Sequence, residues 1–209
     1  MLEKIVGFTG KCWPLRCGVI VTLGVLVACL GLGASGSSAA PRLVTPCITP
    51  TGLDLNEFYG VSEAIITPFC TEVESGRRWT VSNRWFMAPT FEAVPDGFEP
   101  AGATPIEDFV AKFIGVKYVV DPGTSSERTF VRGNVDDLII LDDGVEVIAI
   151  TVALGGLSPS SVGDHIVDSY LLFSALHCDG LAAVLEENCL PAGETLFSSM
   201  QFTVTPGNH

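Results

Sequence analysis

From Val61 onward the chain runs in short stretches of apolar and polar residues, broken by Gly, Pro and Asp. That is the pattern of β-strands separated by turns. Residues 61–67 form a first short predicted strand. Residues 79–87 form a longer one, which ends at Ala88-Pro89. Residues 89–105 hold four prolines and two glycines and read as a long loop. One helix interrupts the strands. Thr104 can N-cap it, Pro105 suits its first turn, and Glu107 completes a Thr-x-x-Glu capping box. Ile106, Phe109, Val110 and Phe113 then make one apolar stripe, which Gly115 ends. Residues 116–120, the turn Asp121-Pro122-Gly123 and residues 128–131 predict a hairpin. Residues 138–141, the turn Asp142-Asp143-Gly144 and residues 145–154 predict a second strand–turn–strand unit. Strands at 164–176 and 195–205 close the set. Residues 41–60 are punctuated by Pro and Gly and predict an extended lead-in.

Ahead of this body lies an apolar run, residues 18–32. Lys4, Lys11 and Arg16 precede it, and the small-residue stretch 33–40 follows. Basic flank, apolar run, small residues is the order of a secretory signal. Cleavage after Ala39 is favoured over cleavage after Ala40, because Pro41 hinders cutting there. Two rivals stay open. Leu26-Val27-Ala28-Cys29 resembles the lipobox of bacterial lipoproteins, which implies a lipid on Cys29. The run is also just long enough for an uncleaved anchor, since a spanning helix needs about 17–25 apolar residues. Residues 1–40 are thus a signal peptide or membrane anchor, and residues 41–209 a single exported β-rich domain. That domain is secreted or attached to the outer face of the membrane, and the N-terminal segment is its only link to lipid.

Export sharpens the charge. Of 11 Lys and Arg, three precede residue 41; of 24 Asp and Glu, only Glu3 does. The remainder is 8 − 23, or −15. Nucleic-acid binding relies on clustered Lys and Arg, so this balance excludes it. Four of the seven cysteines, Cys47, Cys70, Cys178 and Cys189, follow the leader. An even count in an exported chain reads as two disulfides. The sequence leaves all pairings open. Cys47–Cys70 and Cys178–Cys189 need the least long-range geometry, and each would be worth about 3 kcal/mol by loop-closure entropy. A Cys178–Cys189 bridge would pin the apolar run 181–185 over one end of the fold.

The turn signals between seven or eight strands predict a mainly β fold, a β-sandwich with one short extra helix; an α+β fold is the alternative. Residues 157–167, the Asp-Gly turn at 179–180 and Phe202-Thr203-Val204 resemble the closing strands of bacterial immunoglobulin-like modules. That likeness implies an immunoglobulin-like sandwich. The segments His177-Cys178-Asp179-Gly180-Leu181 and Glu187-Asn188-Cys189-Leu190-Pro191-Ala192-Gly193-Glu194 resemble a group of uncharacterised exported actinobacterial proteins, and Tyr118–Thr124 fits the same group. This resemblance implies export and carries no activity.

Candidate chemistry is sparse. The chain has no G-x-S-x-G, G-x-x-x-x-G-K-[ST], H-E-x-x-H or S-x-x-K motif, and three histidines, of which His209 is terminal. No catalytic residue and no cofactor is expected. His177 and Asp179, with His165, are weak candidates for Zn²⁺ or Cu²⁺. Against this, Cys178 reads as a disulfide anchor and Asp179-Gly180 as a turn. His165 falls where immunoglobulin-like domains place a corner tyrosine, and bonding to a nearby carbonyl would account for it. Asp136, Asp137, Asp142 and Asp143 bracket one strand, too far apart for one calcium site. Arg77, Arg78, Trp79, Arg84 and Trp85 are a candidate contact face for a protein or glycan; the alternative is core tryptophans with solvent-facing arginines. The function expected is a non-catalytic binding or structural module, with a protein or glycan partner in the envelope. A metal-binding protein is the alternative, and a hydrolase the third reading.

Overall fold

A computed structural model of the protein describes residues 45–133, 138–152 and 156–207. The expected leader at 1–40 lies outside the described residues, as do Asp136, Asp137, Leu154 and His209. In chain order the elements are α1 (Leu55–Tyr59), β1 (Ala64–Ile66), β2 (Glu72–Glu74), β3 (Trp79–Met87), α2 (Pro105–Lys112), β4 (Phe113–Val120), β5 (Arg128–Arg132), β6 (Leu138–Asp142), β7 (Val147–Val152), β8 (Gly163–Phe173), β9 (His177–Cys178), α3 (Leu185–Asn188), β10 (Cys189–Leu190) and β11 (Gly193–Thr205).

The fold is mainly β, as the pattern predicts. One sheet runs β1-β3-β7-β6, a second runs β2-β11-β8-β4-β5, and β9 pairs with β10 alone. β1 lies parallel to β3, and β2 parallel to β11. The longest pairing joins β8 and β11, antiparallel from Gly163↔Val204 to Phe173↔Gly193. The inner faces of the two large sheets meet across one core. Trp79, Val81, Met87 and Val147 from the first pack with Tyr118, Leu171, Phe173 and Phe202 from the second. Trp79 is the centre of that contact, with its ring 4.6 Å from that of Phe202.

A smaller cluster lies on the outer face of the four-stranded sheet. There Leu55, Tyr59 and Val61 cover Ile65, Ile150 and Val152. The Cys47–Cys70 disulfide fastens this N-terminal segment down.

Several local outcomes differ from expectation. The lead-in contains α1. The Asp54 side chain accepts from the N–H groups of Asn56 and Glu57, and Gly60 closes the turn with φ 65°. α2 has the expected capping box but ends at Lys112, and β4 starts at once. Phe113 pairs with Phe173 before the helix can continue, and the Ser174 N–H bonds to the Lys112 carbonyl. Gly115 sits at the resulting register shift, where a Cβ would lie 2.9 Å from the Arg132 carbonyl oxygen. The second disulfide, Cys178–Cys189, joins directly opposed residues of β9 and β10. It does not pin the apolar run over the sheets. Leu181, Val184 and Leu185 stay exposed, because the loop closes on itself. Asp179 accepts from the Leu181 N–H and from the Asn188 amide, and the Asp179 and Gly180 carbonyls accept from the N–H groups of Ala88, Glu92 and Ala93, so the loop is held at its base while its apolar tip stays in water.

Candidate functional site

The chemistry-bearing side chains of this fold meet where α2 crosses the end of β8. Asp108 and Lys112 lie one turn apart on α2 and form an ion pair of 2.6 Å. Both are buried: Asp108 is 0 % exposed and Lys112 5 %. The Lys112 ammonium also donates to the Leu176 carbonyl at 2.6 Å and the Glu99 carbonyl at 3.1 Å. It lies 4.6 Å from the centre of the Phe98 ring. All its donors are therefore spent on the helix, the 88–104 loop and the connection between β8 and β9.

Asp108 uses its other oxygen on His177. Its Oδ2 is 2.8 Å from His177 Nδ1, and Oδ1 also accepts from the Ala101 N–H. Trp85 donates its indole N–H to His177 Nε2 at 3.1 Å. An indole nitrogen can only donate, so Nε2 carries no hydrogen and Nδ1 does. His177 is thereby held as the neutral Nδ1–H tautomer. Its ring stacks on Phe173 and meets Phe109 edge-on. Burial pushes the His177 imidazole below its ordinary value, against the opposing pull of Asp108. For Asp108, burial pushes the carboxyl up. The hydrogen bonds from His177, Lys112 and the Ala101 N–H outweigh it and hold the group below the usual carboxylate range.

The second histidine is arranged differently. His165 Nε2 lies 2.8 Å from the Ser161 carbonyl, which can only accept, and Nδ1 lies 2.8 Å from Asp121 Oδ2. This is the bond to a nearby backbone carbonyl that the corner position suggested. Asp121 has φ 55° and also accepts from the Ile166 N–H. The pair lines an open groove of about 600 Å³ with Asp164, Gln201 and Thr203.

The expected metal candidates do not converge. His177 is committed to Trp85 and Asp108, Asp179 to its own loop, and His165 to Asp121 and Ser161. Among the described residues, no group of three His, Cys, Asp or Glu side chains is placed to hold a metal. Asp142 and Asp143 build the β6–β7 turn, accepting from the N–H groups of Gly144, Val145 and Glu146. The N–H groups of Glu146 and Val145 hold the Asp143 carboxyl low.

The five residues of the expected contact face do not form one surface. Trp79 and Trp85 do share a face of β3, but it is the inner one. Trp79 is 0 % exposed, and Trp85 is half-buried against His177 and Phe197. Arg84 is exposed on the outer face and donates to the Tyr59 hydroxyl; Arg78 donates to the Gly156 carbonyl, and Arg77 pairs with Glu74.

The network of Trp85, His177, Asp108 and Lys112 escaped the sequence reading. Its one signal was the four-residue spacing of Asp108 and Lys112. Family models, curated proteins and solved structures were all compared with this chain, and none matches.

Proposed function

We propose that the protein is an exported, non-catalytic binding module that works by contact with a protein partner in the cell envelope. The observation that carries this reading is a row of apolar side chains on the outer face of the four-stranded sheet. Phe86, Ile148 and Leu141 sit side by side in register across β3, β7 and β6. Phe86 is 45 % exposed, and the other two are half-buried. The disulfide-fastened N-terminal segment covers the neighbouring part of this face and packs against Leu141 and Ile148, so that Phe86 is the open end of the row. An apolar patch with a charged rim, here Arg84, suits a protein contact.

The polar chemistry supports the same reading. Both described histidines have both ring nitrogens engaged by protein groups, which leaves neither poised as a base or a ligand. Two disulfides suit an oxidising compartment. Among the described residues, no helix is long and apolar enough to cross a membrane. The long β8–β11 pairing supports likening the last third to an immunoglobulin-like module.

The test is site-specific photo-crosslinking in the native host. A photo-reactive side chain at Phe86 should give a discrete protein adduct, and one at exposed Glu127, in the β4–β5 turn, should not. Absence of any adduct at Phe86 would defeat the reading. One retained equivalent of Zn²⁺ or Cu²⁺ after dialysis, released by His177→Ala, would replace it with a metal-binding function.

A further inference from the structure

Sheet edges offer unpaired N–H and C=O groups and are usually blunted by charge, shortness or cover. Three edges here follow that rule. β1 has three residues, all buried. β2 places Glu72 and Glu74 on either side of Val73. β5 carries Arg128 and Arg132 at its two ends. β6 follows it least: Leu-Ile-Ile-Leu is apolar on both faces, and charge is confined to its ends, with Asp136 and Asp137 before it in sequence and Asp142 and Asp143 after.

β5 and β6 match each other in length, face and charge. Each has five residues. Arg128, Phe130 and Arg132 lie on the core side of β5, opposite Val120, Tyr118 and Val116. Leu138, Ile140 and Asp142 lie on the core side of β6, opposite Thr151, Ala149 and Val147. Both edges leave apolar surface open, with Val131 58 % and Ile140 45 % exposed.

We propose that β5 of one copy of this protein pairs with β6 of another. Aligned face to face in the parallel sense, Phe130 meets Ile140 and Arg132 meets Asp142. The guanidinium of Arg132 is available for this. It is exposed and donates to its own neighbour's carbonyl, Val131, whereas Arg128 is held by Pro159 and Ser160. Like edges pair poorly. Two β5 strands oppose arginine to arginine in either direction. Two β6 strands oppose aspartate to aspartate, or aspartate to leucine. A body at −15 would also keep copies apart unless a basic strand met an acidic one. This contact uses the edge of β6, whose Leu141 ends the Phe86 row, but Phe86 itself lies two strands away on β3, so the two readings are tested separately.

Sedimentation velocity over a wide range of protein concentration tests it. The wild-type chain should self-associate, and added salt should weaken the association. Arg132→Asp and Asp142→Arg should each weaken it about tenfold or more, and the double exchange should restore it. Arg132→Gln, which keeps the stem, should weaken it in the same direction and guards against misfolding of the charge reversal. A chain that stays monomeric at every concentration overturns the proposal. So does association indifferent to both exchanges, or a double exchange that restores nothing. The Phe86 adduct would survive any of these results.

Discussion

At His177 the surroundings dictate the protonation state, because a donor faces one ring nitrogen and a carboxylate the other. Removing the carboxylate leaves a buried ammonium without its counter-ion. Asp108→Ala should therefore lower unfolding stability by about 3–5 kcal/mol, read from urea or guanidinium titration. The pH response follows from the shifts. His177 is held below its ordinary value of 6.5, so as pH falls through 6.5 the unfolded chain takes up a proton before the folded one. Stability from this group is complete above that pH and is lost on acidification. Asp108 is held below 3.8, so its contribution is lost in the same direction, below pH 3.8. Wild type should lose more stability than His177→Gln as pH falls from neutral to the mildly acidic range. Equal slopes for the two proteins would show that His177 is not held neutral.

At the scale of elements, periodicity and turn chemistry were sufficient where they acted locally. β3 has the expected bounds, and the α2 capping box forms from Thr104 and Glu107 as spaced. They failed where tertiary contacts chose the outcome. The inner face of α2 includes Asp108 and Lys112, while Val110 is half-exposed, because His177 and the Leu176 carbonyl wait opposite. No helical stripe can announce a partner 69 residues away. β2 escaped because three residues beside β11 carry no period of their own. The short α1 had its signals, Asp54 and Gly60, but prolines around it masked them. The Cys178–Cys189 loop gives an element-scale test. Its apolar residues face solvent, so the bridge acts by closing the chain and fixing β9 against β10 rather than by securing a packed cover. Replacing both cysteines by serine should lower stability by about 2–4 kcal/mol. The core contacts of β8 with β11 should persist, as read by hydrogen exchange. Loss of protection throughout β8 and β11 would mean that the loop does more than close.

For the whole molecule, the proposed export would link the disulfides, the charge and the expected leader. The two bridges are local, Cys47–Cys70 and Cys178–Cys189, with sequence separations of 23 and 11. Each can form as soon as its own segment enters an oxidising compartment, without waiting for the sheets to assemble. In a reducing compartment both would open. The N-terminal segment over Ile65, Ile150 and Val152 would then lose its fastening, and those residues would depend on packing alone. The leader reading makes this measurable in one spectrum. Expressed with residues 1–40 in a bacterial host, the protein should shorten by about 4 kDa, the mass of roughly 39 residues. It should also run four mass units below the fully reduced form, two for each of the bridges in the fold. A diacylglyceryl mass on Cys29, with processing blocked by a lipoprotein signal-peptidase inhibitor, would establish the lipoprotein route instead. Retention of the full 209 residues in the membrane fraction would establish the anchor. Full-length protein in the cytoplasm with all cysteines reduced would refute export, and with it the envelope partner proposed for the Phe86 row.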